Sequence, residues 1–216
     1  LLMLESGKLR SHAAFETGSL TGYLSFFLEQ AKSEHTQGIR DAAGGKNMFL
    51  AVREPVGVVV AALAWNFPMH NLATKLGPIL ASGCTAVIKP ATKTPLSTLY
   101  FGEILHRIGF PKGVINFVAG DAREIGPPLC ESPIPAMITM IGSTSGGLRM
   151  VRDSTTSVKR FSMELGGNAP VIVTPSADLS AAAAHVIGNK MRCAGQTCVA
   201  PQRAFVHRSV YREFLA

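Results

Sequence analysis

From Pro55 onward the sequence alternates short apolar runs with amphipathic segments, and this alternation limits the fold more than any other feature. The runs at residues 56–63, 85–88, 114–118 and 136–141 are nearly continuous, as strands buried on both faces require. Between and after them, residues 69–81, 95–108, 122–130 and 145–154 read as helices. In 95–108, the positions Leu96, Leu99, Tyr100, Ile104, Leu105 and Ile108 make one apolar stripe, and Pro95 suits a first-turn position. Buried strands separated by crossover helices predict an α/β fold with a parallel sheet covered by helices on both faces.

Such a sheet binds ligands at the carboxyl ends of its strands. Polar or glycine-bearing residues stand at four successive strand exits: Trp65-Asn66, residues 89–92, Ala119-Gly120-Asp121 and Gly142-Ser143-Thr144. The G-x-G-x-x-G dinucleotide fingerprint does not follow the first strand. Gly142-Ser143-Thr144 instead closes a strand and opens a helix, where backbone N–H groups attract phosphate. Ser143 is equally an ordinary N-cap.

On the N-terminal side, residues 11–32 read as a helix, with Leu20, Tyr23, Leu24, Phe27, Leu28 and Ala31 near the 3.6 period. A polar break at 36–46, containing Gly38, Gly44 and Gly45, reads as a turn opening into an extended piece at 47–53. After Met163 the pattern changes to Glu164-Leu165-Gly166-Gly167, a strand at 170–174, a helix from Asp178 with alanines at 181–184, a tight loop at 193–198 and a strand at 203–207. Two domains are expected to meet near residue 165.

Composition removes several classes. With 47% hydrophobic and 16% charged residues in 216, the chain is not intrinsically disordered. No apolar run reaches the roughly 18 residues a membrane helix needs, so no membrane role is expected. The net charge of +7, from 21 Lys+Arg against 14 Asp+Glu, is spread singly, without a basic run or aromatic-interleaved stripe. Nucleic acid is therefore not an expected partner. No secretory leader pattern is visible; the start at Leu1 and the stop within a helix-like stretch at 209–216 lead us to expect a piece of a longer protein. Four cysteines, Cys84, Cys130, Cys193 and Cys198, make no disulfide scaffold and fit a reducing, cytoplasmic setting. Cys84 reads as an inert core thiol, and the C-x4-C spacing of Cys193 and Cys198 is wrong for zinc, so no metal is expected.

Cys198, in Gly195-Gln196-Thr197-Cys198, offers the strongest side-chain nucleophile available. An enzyme using it wants a carboxylate to take protons and a donor to hold an oxyanion. Glu164, before a Gly-Gly pair that permits close backbone approach, and Asn66, at a strand exit, supply these. Each alone could equally serve a surface or a cap.

These residues and their wording resemble the aldehyde dehydrogenase superfamily. The matching segments are Pro55-Val56-Gly57, Trp65-Asn66-Phe67-Pro68, Lys75-Leu76-Gly77-Pro78, Lys89-Pro90-Ala91, Gly142-Ser143-Thr144, Met163-Glu164-Leu165-Gly166-Gly167-Asn168-Ala169-Pro170 and Gly195-Gln196-Thr197-Cys198. They run in the family's order over essentially the whole chain, and Glu-Leu-Gly-Gly-Asn-Ala-Pro is closest to the succinate-semialdehyde dehydrogenase branch. The resemblance implies an NAD(P)-binding domain of Rossmann-like form over 1–35 and 55–165, an oligomerisation hairpin arm over 36–54 and the start of an α/β catalytic domain over 166–216. A homo-oligomer is implied for the full-length protein.

By the same resemblance, Cys198 attacks the aldehyde carbon to form a thiohemiacetal, the Asn66 amide and the Cys198 backbone N–H hold the oxyanion, and hydride leaves for the nicotinamide. Glu164 activates the water that hydrolyses the resulting thioester, and Lys75 lies close to the reaction centre. Lys89 would bind the adenosine ribose, Ser143 with Gly142 the pyrophosphate, Gly120 would line the adenine side, and Trp65 would add a backbone contact. Many NAD-using relatives carry an acid where this chain has Thr92, so NADP is expected to serve at least as well as NAD. Three departures stand out: Thr74 replaces the branch's carboxylate-binding arginine, which argues against succinate semialdehyde itself; Cys193 replaces an asparagine, as a space-filler or a reversible disulfide partner of Cys198; and Ala64 replaces a proline. The alternatives are a CoA-acylating semialdehyde dehydrogenase, against which Glu164 argues, an inactive nucleotide-binding fragment, and a cofactor-free cysteine hydrolase.

Overall fold

The first strand of the main sheet shows how the interior is divided. In the computed structural model, which describes residues 1–33, 36–41 and 48–216, Val59, Val60 and Ala61 are all buried, but not in the same core. Val59 and Ala61 pack with Leu72, Leu76 and Ile79, while Val60 packs with Cys130 and Ile138. Successive strand residues point to opposite faces, so each face has its own apolar cover.

The elements follow in the order α1 (Leu2–Ser6), α2 (Arg10–Ser33), β1 (Thr36–Asp41), β2 (Met48–Val52), β3 (Val58–Ala62), α3 (Pro68–Ala81), β4 (Thr85–Lys89), α4 (Leu96–Arg107), β5 (Ile115–Phe117), α5 (Ala122–Glu131), β6 (Pro135–Ile141), α6 (Thr144–Asp153) and β7 (Arg160–Glu164). Then come β8 (Pro170–Val173), α7 (Leu179–Met191), β9 (Arg203–Val206) and α8 (Tyr211–Leu215), with 3₁₀ turns at Arg192–Gly195 and Arg208–Val210. The chain divides into two units, Leu1–Glu164 and Leu165–Ala216.

In the first unit, five parallel strands lie in the order β5-β4-β3-β6-β7, an α/β sheet of Rossmann-like order. The order reverses between β3 and β6, so the loops after these two strands flank the switch point. α2 and α3 cover one face through Leu20, Leu72 and Leu76; α5 and α6 contribute Cys130 and Met150 to the other. α2 packs on α3 at Gly77, where a Cβ would fall 2.5 Å from Cδ2 of Phe27. Among the described residues, no helix is long and apolar enough to cross a membrane.

Three elements differ from the sequence-based expectation; one is α1, a short helix at Leu2–Ser6 ahead of the helix expected over 11–32. The strand β7 was not expected: its Arg160, Ser162 and Glu164 alternate with Phe161 and Met163, as suits an edge strand paired on one side only, and no continuous apolar run marks it. Residues 36–41 were expected in a turn but form β1, antiparallel to β2 with Thr36 opposite Val52 and Asp41 opposite Met48. A segment with Ile39 as its one large apolar residue is made a strand by its partner's hydrogen bonds rather than by its own propensity. The rest of the expected break, 42–47 with Gly44 and Gly45, lies outside the described residues, as do 34–35 at the end of the expected 1–35 segment.

In the second unit, β8 and β9 pair in parallel, from Pro170 opposite Arg203 to Val173 opposite Val206. Asp178 caps α7 by accepting from the Ala181 N–H at 2.9 Å.

Candidate active site

The exits of β4 and β5 meet in a hydrogen-bonded chain. Lys89, the last residue of β4, is buried, and its Nζ donates to the Pro90 carbonyl at 3.0 Å and to Thr92 Oγ1 at 3.4 Å. Thr92 Oγ1 donates to the Gly120 carbonyl, also at 3.4 Å. Three of the residues expected to bind cofactor are thereby brought together. Burial lowers the Lys89 pKa, and the Asp121 carboxylate partly opposes this. Asp121 is itself engaged: hydrogen bonds from Arg123 hold its carboxyl down at about 2.

At the exit of β6, Ser143 is the N-cap of α6, and its Oγ accepts from the Gly146 N–H at 3.1 Å. Ser143 Oγ also lies 3.2 Å from Ser145 Oγ, and the cap and the phosphate reading are compatible because a hydroxyl that accepts one N–H still has its own proton to donate, to Ser145 or to a ligand. Gly142 is held to the sheet by its N–H, which donates to the Glu164 carbonyl at 3.0 Å. A Cβ on Gly142 would fall 2.5 Å from Cε of Met140, the far end of a flexible side chain that would have to move aside. Glu164 is exposed at the end of β7.

The exit of β3 carries Trp65 and Asn66 into α3. Thr94 Oγ1 donates to the Trp65 carbonyl at 2.9 Å, and Lys93 Nζ sits 5.6 Å from the Trp65 ring centroid. Asn66 is half-buried, and its Oδ1 accepts from Asn71 Nδ2 at 3.4 Å. That bond turns the amide so that what Asn66 offers elsewhere is its NH2 donor end. Asn71 is itself fixed by donating to the Ala64 carbonyl at 3.0 Å. Lys75, one turn further along α3, is buried; desolvation lowers its pKa, and the Glu164 carboxylate pulls it back up. Thr74 gives its hydroxyl to the Asn71 carbonyl at 3.1 Å, a bond within its own helix.

Asn66, Lys75 and Glu164 belong to the first unit, Cys198 to the second. Cys198 is exposed in a turn closed by the Ala200 N–H donating to the Thr197 carbonyl at 3.1 Å. The preceding 3₁₀ turn places Cys193 and Ala194 at φ of 50° and 53°, left-handed values that side chains seldom adopt. Cys193 is buried there. Gly167 runs beside Cys198, but a Cβ would meet the Cys198 carbonyl at 3.6 Å, an ordinary contact; close approach does not demand glycine there. Cys84 is buried just before β4, accepting from Ser82 Oγ at 3.3 Å.

Sequence reasoning passed over Asn71, the pairing of Arg123 with Asp121, and the buried pair of Lys8 with Glu16. The available signal was a polar residue on an apolar helix face: Asn71 precedes Leu72 and Ala73, both fully buried.

The model of the aldehyde dehydrogenase family matches residues 1–216. The chain is 40% identical over 215 residues to the glutarate-semialdehyde dehydrogenase of Pseudomonas aeruginosa, covering 100% of this chain and 44% of that protein. It is 38% identical over 214 residues to the NADP(+) succinate-semialdehyde dehydrogenase of Escherichia coli, covering 99% and 44%. The structure of succinate-semialdehyde dehydrogenase from Burkholderia pseudomallei superposes with a TM-score of 0.94 at 39% identity, covering 99% of this chain and 44% of that one. The chain thus spans less than half the length of the relatives it matches.

Proposed function

Because the chain belongs to the aldehyde dehydrogenase family, we propose that the whole protein oxidises an aldehyde to a carboxylic acid with NAD(P) as acceptor, through covalent chemistry on Cys198. The observation that carries this reading is the family match along all of residues 1–216, with relatives named for semialdehyde oxidation.

The strand exits suit a dinucleotide. The α6 N-terminus at Gly142 and Ser143 offers backbone N–H groups and a hydroxyl to a pyrophosphate. The Lys89 ammonium and Thr92 hydroxyl, 3.4 Å apart, suit a ribose or its phosphate, with Gly120 beside them and Trp65 at the exit of the neighbouring strand β3. When bound, the nicotinamide supplies the hydride acceptor. With threonine at 92 and Asp121 neutralised by Arg123, a 2′-phosphate meets no uncompensated carboxylate, which supports NADP serving at least as well as NAD.

Cys198 Sγ is the nucleophile that adds to the carbonyl carbon. The Asn66 NH2 and the Cys198 backbone N–H donate to the oxyanion; a donor of this kind is typically worth about 3 kcal/mol. Glu164 takes a proton from the water that cleaves the thioester on Cys198.

Semialdehydes are the substrate class the relatives' names support. Thr74 offers no cation to a substrate carboxylate, which tells against succinate semialdehyde itself. The β1–β2 arm is the proposed oligomer contact, and four cysteines that make no disulfide scaffold suit a reducing, cytoplasmic setting.

The test is turnover of an aldehyde panel by the complete enzyme with NAD and with NADP, with and without CoA. Acid formed without CoA, and lost in Cys198→Ala, is the expected result. No aldehyde-dependent NAD(P)H, or acyl-CoA as sole product, would refute the proposal.

A further inference from the structure

We propose that Lys8 and Glu16 are a buried positioning pair that sets the backbone of the Asn66 turn for catalysis. This rests on the reading of Asn66 as an oxyanion donor. Lys8 lies between α1 and α2, Glu16 within α2, and both side chains have 0% exposure in their ion pair. Neither charge gains much from the other, because removing both from water costs about what their attraction returns. Their remaining bonds show where they act.

All of those bonds fall on residues 66–70. Lys8 Nζ donates to the Asn66 carbonyl at 2.8 Å and lies 4.2 Å from the Phe67 ring centroid. Glu16 Oε2 accepts from Lys8, while Oε1 accepts from the Met69 N–H at 2.8 Å and the His70 N–H at 3.4 Å. α3 needs this help. Its N-cap is Phe67, which has no side-chain acceptor, and Pro68 occupies its first turn. The first-turn N–H groups are therefore capped by a carboxylate more than fifty residues earlier in the chain.

The pair thus grips the turn on both sides of the helix start, by a carbonyl before it and amides after it. Asn66 leaves β3 with its main chain fastened at one end, and its side chain is oriented by Asn71 at the other. An oxyanion donor works only where the charge develops, and a shift of about 1 Å can cost 10²-fold in rate. Two charges from the N-terminal segment consequently set the position of a group at the sheet's switch point.

In the complete enzyme, Lys8→Met and Glu16→Gln are compared with Asn66→Ala and with each double variant. Expected is a fall in kcat of about 10- to 100-fold for Lys8→Met and Glu16→Gln. Affinity for NADP and the rate of Cys198 alkylation by iodoacetamide, neither of which uses the oxyanion donor, should stay within about twofold. On the Asn66→Ala background, Lys8→Met should lower kcat by no more than about a further twofold, because the group it positions is already gone. Glu16→Gln keeps an oxygen for the Met69 N–H and carries the test if Lys8→Met does not fold; Lys8→Arg, which keeps the charge, should recover part of kcat.

A folded Lys8→Met or Glu16→Gln with native kcat overturns the inference. So do losses that multiply with Asn66→Ala, or nucleotide binding that falls in parallel, since those mark a general structural role. A slow Asn66→Ala beside fast pair variants sinks only this inference. A native enzyme that turns over no aldehyde sinks the function proposed above instead.

Discussion

Lys89 Nζ donates to Thr92 Oγ1 at 3.4 Å across the turn that leaves β4. The ammonium is buried and the hydroxyl exposed, so the lysine's charge reaches solvent beside a neutral side chain. A carboxylate in place of that hydroxyl would pair with the ammonium and take over its donor.

Thr92→Glu in the complete enzyme is therefore expected to lower kcat/KM for NADP relative to NAD by about 10- to 100-fold, since like charges placed against each other cost several kcal/mol. Steady-state kinetics with both cofactors decide it; an unchanged ratio would count against Lys89 and Thr92 as the ribose-side residues.

Glu164→Gln should separate the two halves of the reaction. The first turnover of NAD(P)H formation should persist as a burst, while steady-state turnover falls by about 10²- to 10⁴-fold, the range of general-base loss. Stopped-flow absorbance checks this; loss of the burst along with the steady state would move Glu164 out of the hydrolytic step.

The same substitution should shift Lys75. Burial already lowers its pKa from 10.5, and the Glu164 charge opposes that shift. Removing the charge must lower the pKa further, seen by NMR titration of labelled lysine. Because the folded value lies below the unfolded one, the unfolded chain holds the proton more tightly, and the protein gains stability as pH rises from the folded value toward 10.5. Lys75→Met should abolish this gain; a titration at or above 10.5 in the folded protein would contradict the assignment.

Gly77→Ala places a methyl 2.5 Å from the Phe27 ring at the contact of α2 and α3. Overpacking of this kind costs about 1–3 kcal/mol, and Phe27→Leu in the same chain should restore part of it. Chemical denaturation reads both; a Gly77→Ala protein as stable as the native one would show that the helices separate freely there.

The strands β3, β4 and β6 were legible because double-sided burial writes itself as apolar runs such as 58–62 and 86–88, and the short edge strand β5 was marked by the apolar residues of 114–118. The helices between them, and the strand exits carrying Asn66, Lys89, Gly120 and Ser143, follow from the same local pattern. β7 was not legible, since an edge strand alternates and Phe161 and Met163 alone do not mark it. β1 was hidden for a related reason: its hydrogen bonds come from β2 and leave little trace in its own composition.

By itself the sequence determined an α/β parallel sheet, the loops that end its strands, and a cysteine, carboxylate and amide whose wording matches one family. These depend on neighbours a few residues apart, which periodicity and motif record directly. Only the tertiary structure decided that Glu16 caps α3, that Lys8 holds the Asn66 carbonyl, that Asn71 turns the Asn66 amide, and that Lys75 feels Glu164. Most of those relationships join elements far apart in the chain, and all depend on how side chains pack once the elements meet. No local pattern encodes which buried charge will find which backbone group.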